Sequence, residues 1–391
     1  MLNNFYYHLY TQFYFGTEAE NNVGEAMKKD GAKKVLIIHG SDRIKKDGLF
    51  KKITDQLDKQ EITYFELGGV QANPRLSLIR KGIEIAKKEN IDYLLAIGGG
   101  SAIDTAKAIG VGNYVDGDVW QVVFDKSLSK KVLPVAVVLT YPAAGSESSK
   151  SCVVTNDEVT PNIKGSFPGY RPRLAFENPE LSFTLPEFLT AAGIADIYMH
   201  IWERYFSPVN FGSMDYMAEG MLKCIIDLAP KILANPTNYE YRAEIMWLST
   251  MAHNDTCGNG RPQDWATHGL GHELSAAYDT THGVSLTVIG PAWMKYVYKD
   301  NLARFARYAK EVFGIDEADQ EKASLLGIEA TVKFFKSLGL PTNFKEANLP
   351  TDMIEHMANQ VHMLKGGDFG CMKPLTVEDC INIYKIAADL A

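Results

Sequence analysis

Tyr93-Leu-Leu-Ala-Ile-Gly-Gly-Gly-Ser-Ala-Ile-Asp-Thr-Ala-Lys107 decides how the N-terminal half of the chain reads. Its first five residues are apolar without alternation, the pattern of a strand buried on both faces of a parallel sheet. Three glycines then allow a sharp turn and keep side chains out of the space before it. A helical pattern follows from about Ser101 to Ile109 and aims its free N–H groups and positive dipole end at the same space. Ser101 and Asp104 have the S-x-x-D spacing of a helix cap. Lys107 is near enough along the helix to reach back toward a charged group. Strand, glycines, cap and lysine in this order point to phosphate binding at Gly98, Gly99, Gly100 and Ser101. The alternative is a plain strand-to-helix turn, and the spacing differs from the G-x-G-x-x-G fingerprint.

Working outward, the flanking sequence repeats the alternation. Val35–Ile38 is a second apolar run, followed by a helical stripe of Leu49, Phe50, Ile53 and Leu57. Ile62–Leu67 reads as a strand, Leu76–Glu89 as a helix and Val132–Leu139 as a further buried strand. Such strand–helix alternation predicts a parallel α/β sheet. Gly40-Ser41-Asp42-Arg43 follows the first of these strands, where an adenosine ribose is read in a nucleotide-binding sheet. Past Pro186 the pattern changes to long helices: Phe188–Tyr205, Met214–Leu233, Tyr239–Asn254, Ala303–Phe313, Lys322–Leu338, Met353–Met363 and Val377–Leu390. The expected organisation is an α/β nucleotide-binding domain over residues 1–184 and an all-α domain over 185–391, with a hinge near Asn178–Pro186. Two domains suit 391 residues, since single cores stop growing near about 250–300 residues.

Composition excludes several classes of function. With 46% hydrophobic and 23% charged residues, the chain has the balance of a globular protein. A formal charge of −8 and the lack of a basic stripe argue against nucleic-acid binding. No run approaches the about 20 apolar residues of a membrane span, and Met1–Tyr10 lacks the basic start and apolar stretch of a signal peptide. Five cysteines without a C-x-x-C pair suggest reduced thiols in a cytoplasmic protein.

The helical half carries a second candidate site. Asp196 and His200 are four residues apart and share a helix face. His268 and His272 have the same spacing within Trp265–Leu274, and His282 follows a Gly/Asp/Thr-type segment. Asp196, His200, His268 and His282 offer one carboxylate and three imidazoles, a donor set for borderline divalent metals such as iron, zinc or cobalt. The competing reading is a set of packed core histidines.

At these residues the chain resembles the iron-containing (group III) alcohol dehydrogenase family, in its butanol dehydrogenase branch. The resemblance rests on Gly98–Lys107, on Thr140-Tyr-Pro-Ala-Ala-Gly-Ser-Glu147, on Asp196-Ile-Tyr-Met-His200, and on Pro262-Gln-Asp-Trp-Ala-Thr-His-Gly-Leu-Gly-His-Glu273 with His282-Gly. It implies a dehydroquinate synthase-like fold, with an α/β N-terminal dinucleotide-binding domain and an all-α C-terminal metal-binding domain. It also implies that Asp196, His200, His268 and His282 hold one divalent metal, Fe2+ first, with Zn2+ or Co2+ as alternatives. Gly98 to Ser101 would be the pyrophosphate loop, and Thr140 with Pro142 and Ser146 the nicotinamide-side turn. Asn73, Asp104 and Lys164 complete the cofactor-binding candidates, together with Gly40, Ser41, Asp42 and Arg43. His272 would stand near the substrate without ligating the metal, as a proton relay.

The activity implied is hydride transfer between NAD(P)H and a short-chain aldehyde or primary alcohol such as butanal or butanol, by a cytoplasmic homodimer. Where the branch usually has Gly-Gly-Gly-Ser after the first strand, this chain has Gly40-Ser41-Asp42-Arg43. Asp42 would accept hydrogen bonds from ribose hydroxyls and repel a 2′-phosphate, whereas Arg43, Lys45 and Lys46 would attract one. The balance favours NADH, with NADPH also usable. Two rival functions are a metal- and NAD-dependent lyase of the dehydroquinate synthase type and a non-catalytic nucleotide-binding protein.

Overall fold

A computed structural model describes residues 2–389. Met1, Leu390 and Ala391, which end the expected domains 1–184 and 185–391, lie outside the described residues, as does the last residue of the expected helix Val377–Leu390. By its internal contacts the chain forms two units. One comprises His8–Thr184 and Thr237–Asn254; the other comprises Met1–Tyr7, Leu185–Pro236 and Asp255–Ala391. The division after Thr184 falls within the expected hinge stretch Asn178–Pro186, but a linear cut does not describe two segments, Met1–Tyr7 and Thr237–Asn254.

The first unit is built around a parallel sheet. In chain order its elements are β1 (Gln12–Phe15), α1 (Val23–Lys29), β2 (Lys34–His39), α2 (Arg43–Lys46), α3 (Leu49–Lys59), β3 (Thr63–Leu67), α4 (Leu76–Glu89), β4 (Tyr93–Gly98), α5 (Gly100–Gly112), β5 (Val135–Leu139), β6 (Val153–Asn156), β7 (Ile163–Ser166) and β8 (Leu174–Glu177). Six strands pair in the order β1-β8-β5-β4-β2-β3, all parallel, while β6 and β7 form an antiparallel hairpin.

Parallel neighbours need crossovers, and these put helices on both faces of the sheet. Leu36, Ile38, Leu94, Ala96, Val135 and Val137 bury one face against Ile79, Ile83, Ile103 and Ile109 of α4 and α5. The intervening residues Val35, Ile37, Leu95, Ile97, Ala136 and Val138 bury the other against Val23, Met27, Ile53 and Leu57 of α1 and α3. Both parities along β2, β4 and β5 are therefore apolar, which is why these strands read as unbroken hydrophobic runs. Short β1 and β8, with four residues each, carry no such signal.

Among the described residues, eight α-helices make up the second unit's α structure, and one further helix of the C-terminal half belongs to the first unit. In chain order they are α6 (Glu187–Tyr205), α7 (Ser213–Ala234), α8 (Tyr239–His253), α9 (Ala266–Tyr278), α10 (His282–Val297), α11 (Leu302–Phe313), α12 (Gln320–Ser337), α13 (Ile354–Lys365) and α14 (Val377–Ala387). Of these, α8 packs with the α/β unit. Helix α6 is buried continuously from Thr190 to Tyr205, and α10 from Gly283 to Met294. A helix buried all round has no polar stripe. For that reason α10, which also contains Pro291, gives no helical periodicity in the sequence.

Candidate active site

The candidate ligand set converges on one oxygen. On α6, Asp196 and His200 sit one turn apart, α9 supplies His268, and His282 is the first residue of α10. Asp196 Oδ1 stands 3.6 Å from His200 Nδ1, 3.6 Å from His268 Nε2 and 3.6 Å from His282 Nε2. The facing atoms of Asp196, His268 and His282 all lie within 4.8 Å of one another. The His200 ring stacks on His268 with centroids 4.7 Å apart, and the His282 ring is 5.2 Å from His268.

Close packing brings α10 to this point. A Cβ on Gly283 would lie 2.2 Å from the carbonyl oxygen of Ala192, so only glycine lets the start of α10 rest on the α6 backbone. The neighbouring His282 is thereby delivered to Asp196.

These residues fit a divalent metal. The separations of 3.6 Å exceed hydrogen-bond length. They match the about 3.4 Å between neighbouring donors of a tetrahedral ion with bonds of about 2.1 Å. Asp196 Oδ1 and His268 Nε2 are buried and have no hydrogen-bond partner, an arrangement that costs free energy unless an ion takes them up. Nδ1 of His268 hydrogen-bonds to Oε2 of the buried Glu203, whose Oε1 accepts the His268 backbone N–H at 3.0 Å. Burial disfavours the His268 imidazolium, but the Glu203 and Asp196 carboxylates outweigh it and raise the pKa to about 9. His272, one turn further along α9, lies with its ring 6.0 Å from that of His268 and 5.1 Å from that of His282. It borders the cluster and is not among the three residues whose facing atoms lie within 4.8 Å of one another.

In the α/β unit, the glycine turn ends β4 and starts α5, as expected, but its chemistry differs in three respects. The helix begins at Gly100 with Gly99 as its cap, so Ser101 and Asp104 form no capping pair. Asp104 instead accepts Ser146 Oγ–H at 2.6 Å and the Val153 N–H at 2.9 Å. Lys107 does not reach toward a bound phosphate: it is fully buried and donates to Ser146 Oγ at 2.8 Å and to the carbonyls of Ser149 and Ser151. Both residues support the Thr140–Glu147 turn from behind, because a polar side chain on the buried face of α5 must find partners there. The glycines are needed for the same packing. A Cβ on Gly99 would meet Tyr141 Cβ at 2.8 Å, and one on Gly100 would meet Ala144 Cβ at 2.7 Å.

The turn is thus held against the Gly98–Ser101 loop, and Thr140 N–H donates to Gly98 O at 3.0 Å. Pro142 is buried within it. Beyond Ser146, Glu147 Oε1 accepts Thr250 Oγ–H at 2.9 Å, and Glu177 Oε1 lies 3.2 Å from the same hydroxyl. A hydroxyl carries one proton, so the arrangement is complete when one of the two buried carboxyls is itself protonated. Burial, and then the neighbouring Glu147, push Glu177 well above the carboxylate range. Lys164 on β7 donates to Asn73 Oδ1 at 2.7 Å, which brings these two candidates together in a buried pair.

At the adenosine end, Gly40, Ser41 and Asp42 lead from β2 into α2, with Ser41, Asp42 and Arg43 exposed. Arg43 donates to the Thr184 carbonyl at 2.8 Å. Lys45 Nζ is 2.6 Å from Glu66 Oε1 and 3.3 Å from Asp42 Oδ1, and His39 Nε2 also meets Glu66 at 3.0 Å. Glu66 was not legible as a site residue, although an acid near the end of a strand beside the nucleotide turn is a known ribose signal. Glu203 was also missed. Its signal is the i, i+4, i+7 series Asp196, His200, Glu203 on one stripe of α6.

Comparison with known proteins places the chain in a family. The family described as iron-containing alcohol dehydrogenase matches residues 11–179, and its C-terminal counterpart, the Fe-containing alcohol dehydrogenase family, C-terminal, matches residues 190–388. The chain is 39% identical over 385 residues to NADH-dependent butanol dehydrogenase A of Clostridium acetobutylicum, covering 98% of this chain and 99% of that protein. It is 32% identical to the NADPH-dependent aldehyde reductase YqhD of Escherichia coli, over 99% and 100% of the two chains. Among solved structures, NADH-dependent butanol dehydrogenase A from Thermotoga maritima matches with a TM-score of 0.95 at 36% identity, covering 99% of each chain. With both halves matched over nearly their full length, the chain belongs to the iron-containing alcohol dehydrogenase family.

Proposed function

We propose that this chain is a metal-dependent oxidoreductase that transfers a hydride between NAD(P)H and a short-chain aldehyde or primary alcohol, of the butanal/butanol kind. The observation that carries the proposal is the convergence of three imidazoles on one carboxylate oxygen, each at 3.6 Å, in a chain of this family. Asp196, His200, His268 and His282 hold the metal. When bound, the metal supplies Lewis acidity toward the substrate oxygen, and the nicotinamide supplies or accepts the hydride.

The protein's own contribution is position and charge. Asp196 brings the one formal negative charge among the four ligands. His272, beside His282, holds or passes on the proton that the alcohol oxygen gains or loses. Gly98 to Ser101 leave the N-terminus of α5 open to the pyrophosphate, and the Thr140–Glu147 turn sits on the nicotinamide side. Asn73 and Lys164 serve the cofactor as a buried pair, while Asp104 acts through Ser146.

NADH is the preferred cofactor in this reading. Two of the three side chains that would pair with a 2′-phosphate are engaged elsewhere: Arg43 on a backbone carbonyl, and Lys45 between Asp42 and Glu66. The relatives from Clostridium acetobutylicum and Bacillus subtilis are named as NADH-dependent, and YqhD as NADPH-dependent. The same reading carries the homodimer and cytoplasmic location implied by the family. Among the described residues no helix is long and apolar enough to cross a membrane. Membership in a dehydrogenase family disfavours the lyase and the non-catalytic alternatives.

The test is His268→Ala. The variant is expected to lose bound metal and nearly all aldehyde reduction while keeping its fold and NADH binding. A metal-free His268→Ala protein with wild-type turnover would refute the assignment. Sedimentation of the wild type checks the dimer.

A further inference from the structure

Glu203 is fully buried on α6, and both of its carboxylate oxygens are spent on one residue. Oε1 accepts the His268 backbone N–H at 3.0 Å, and Oε2 meets His268 Nδ1. Among the described residues, its ion-pair partner is His268, with no lysine or arginine salt bridge. A buried carboxylate is costly unless a compensating charge lies close by; the buried Arg204 guanidinium contributes through space without a salt bridge to it. The His268 ring stands between two acids, with Nδ1 on Glu203 and Nε2 facing Asp196 Oδ1 at 3.6 Å. The backbone link fixes the residue and the Nδ1 link fixes the ring, leaving the imidazole one orientation. The far side of Glu203 is anchored too, since its carbonyl accepts the Asp264 N–H at 3.1 Å. Asp264 in turn accepts the Ala266 N–H at 3.1 Å, where α9 starts.

We propose that Glu203 is a positioning residue for the metal centre: it keeps the His268 proton on Nδ1, so that the Nε2 lone pair faces the ion. Its charge, added to that of Asp196, balances a divalent cation in a buried site. A histidine ligand whose second nitrogen donates to a carboxylate is more basic and is held in one tautomer. The proposal rests on the metal reading above and goes beyond it in giving a function to a residue outside the ligand set.

The experiment uses the full-length protein with Co2+ as probe, because bound Co2+ has an absorption spectrum that reports its ligand field. Glu203→Gln keeps the shape but removes the charge, and its single carbonyl oxygen cannot serve both N–H donors as the carboxylate does. We expect Co2+ affinity, measured by competition with a chelator, to fall by about 10–100-fold. The spectrum of bound Co2+ should shift, while NADH affinity stays at the wild-type value. Glu203→Ala should weaken Co2+ further if it folds; the Gln variant decides the matter if it does not. Wild-type Co2+ affinity in Glu203→Gln overturns the proposal. So does weakened binding with an unchanged spectrum, because Glu203 would then be a general support of the fold. A wild-type protein that binds no Co2+ refutes the metal reading itself, which separates the two failures.

Discussion

Replacing Gly283 by alanine tests how the candidate metal centre is assembled, because it puts a methyl group in place of a hydrogen at the contact that delivers His282. The new Cβ would stand 2.2 Å from the Ala192 carbonyl oxygen, 2.8 Å from its carbon and 3.0 Å from its Cα. These are backbone atoms inside α6, so no side chain can rotate away. Restoring a van der Waals separation requires the start of α10 to move by about 1 Å. His282 Nε2 now lies 3.6 Å from Asp196 Oδ1. The same displacement opens that gap to roughly 4.6 Å, beyond the about 3.4 Å that two bonds of about 2.1 Å span. Overpacking of this kind is expected to cost about 1–3 kcal/mol of stability. Loss of about 1.4 kcal/mol at one of the donors corresponds to about tenfold in metal affinity.

The control is Gly220→Ala on α7. A Cβ there meets nothing within 4 Å. That change should therefore stabilise the protein by about 0.5–1 kcal/mol through helix propensity. Both variants are read by thermal melting of the metal-free protein and by Co2+ titration against a chelator. A Gly283→Ala protein with wild-type melting and wild-type Co2+ affinity would show that the α6–α10 contact does not set the site.

Three further outcomes follow from the geometry. Glu66→Gln should release Lys45 from its closest partner, and Asp42→Gly should remove the second. Each is expected to raise the ratio of kcat/KM for NADPH over NADH by about fivefold, and an unchanged ratio in both would transfer the selection to other residues. Because Glu177 is raised above its ordinary value of 4.5, the native state holds a proton that the unfolded chain has lost, and stability should fall as pH rises past that value. Glu177→Gln should flatten this slope, so that its melting temperature gains on the wild type between about pH 5 and pH 8; parallel melting curves across that range would rule out the shared proton. His272→Ala should retain Co2+ and lose roughly 10²-fold in kcat, and equal rates across the pH range would remove His272 from the proton path.

Much of this architecture was written in local sequence. The unbroken apolar runs of β2, β4 and β5 required helices on both faces, and the three glycines after Ile97 marked the turn that the sheet presents. The four-residue spacings of Asp196/His200 and His268/His272 put each pair on one helix face, and His282 after its Gly/Asp/Thr-type segment completed the candidate donor set, which the family resemblance also implied. Local pattern reports whether a residue is buried and along which stripe, because burial repeats with the period of the element.

What local pattern does not report is which buried group meets which across the chain. The role of His282 depends on α10, a helix without a polar face, lying on the backbone of α6 at Gly283. Lys107 and Asp104 looked like part of a phosphate site, yet their place on the inner side of α5 turns them toward Ser146 and the backbone behind the turn. Lys45 looked like a phosphate partner until β3 brought Glu66 beside it. Glu203 became visible as a partner of His268 only when α9 crossed α6. Each of these pairings joins residues more than 20 positions apart. The tertiary packing of neighbouring elements selected them, for the physical reason that a buried polar group must be satisfied by whatever the fold places next to it.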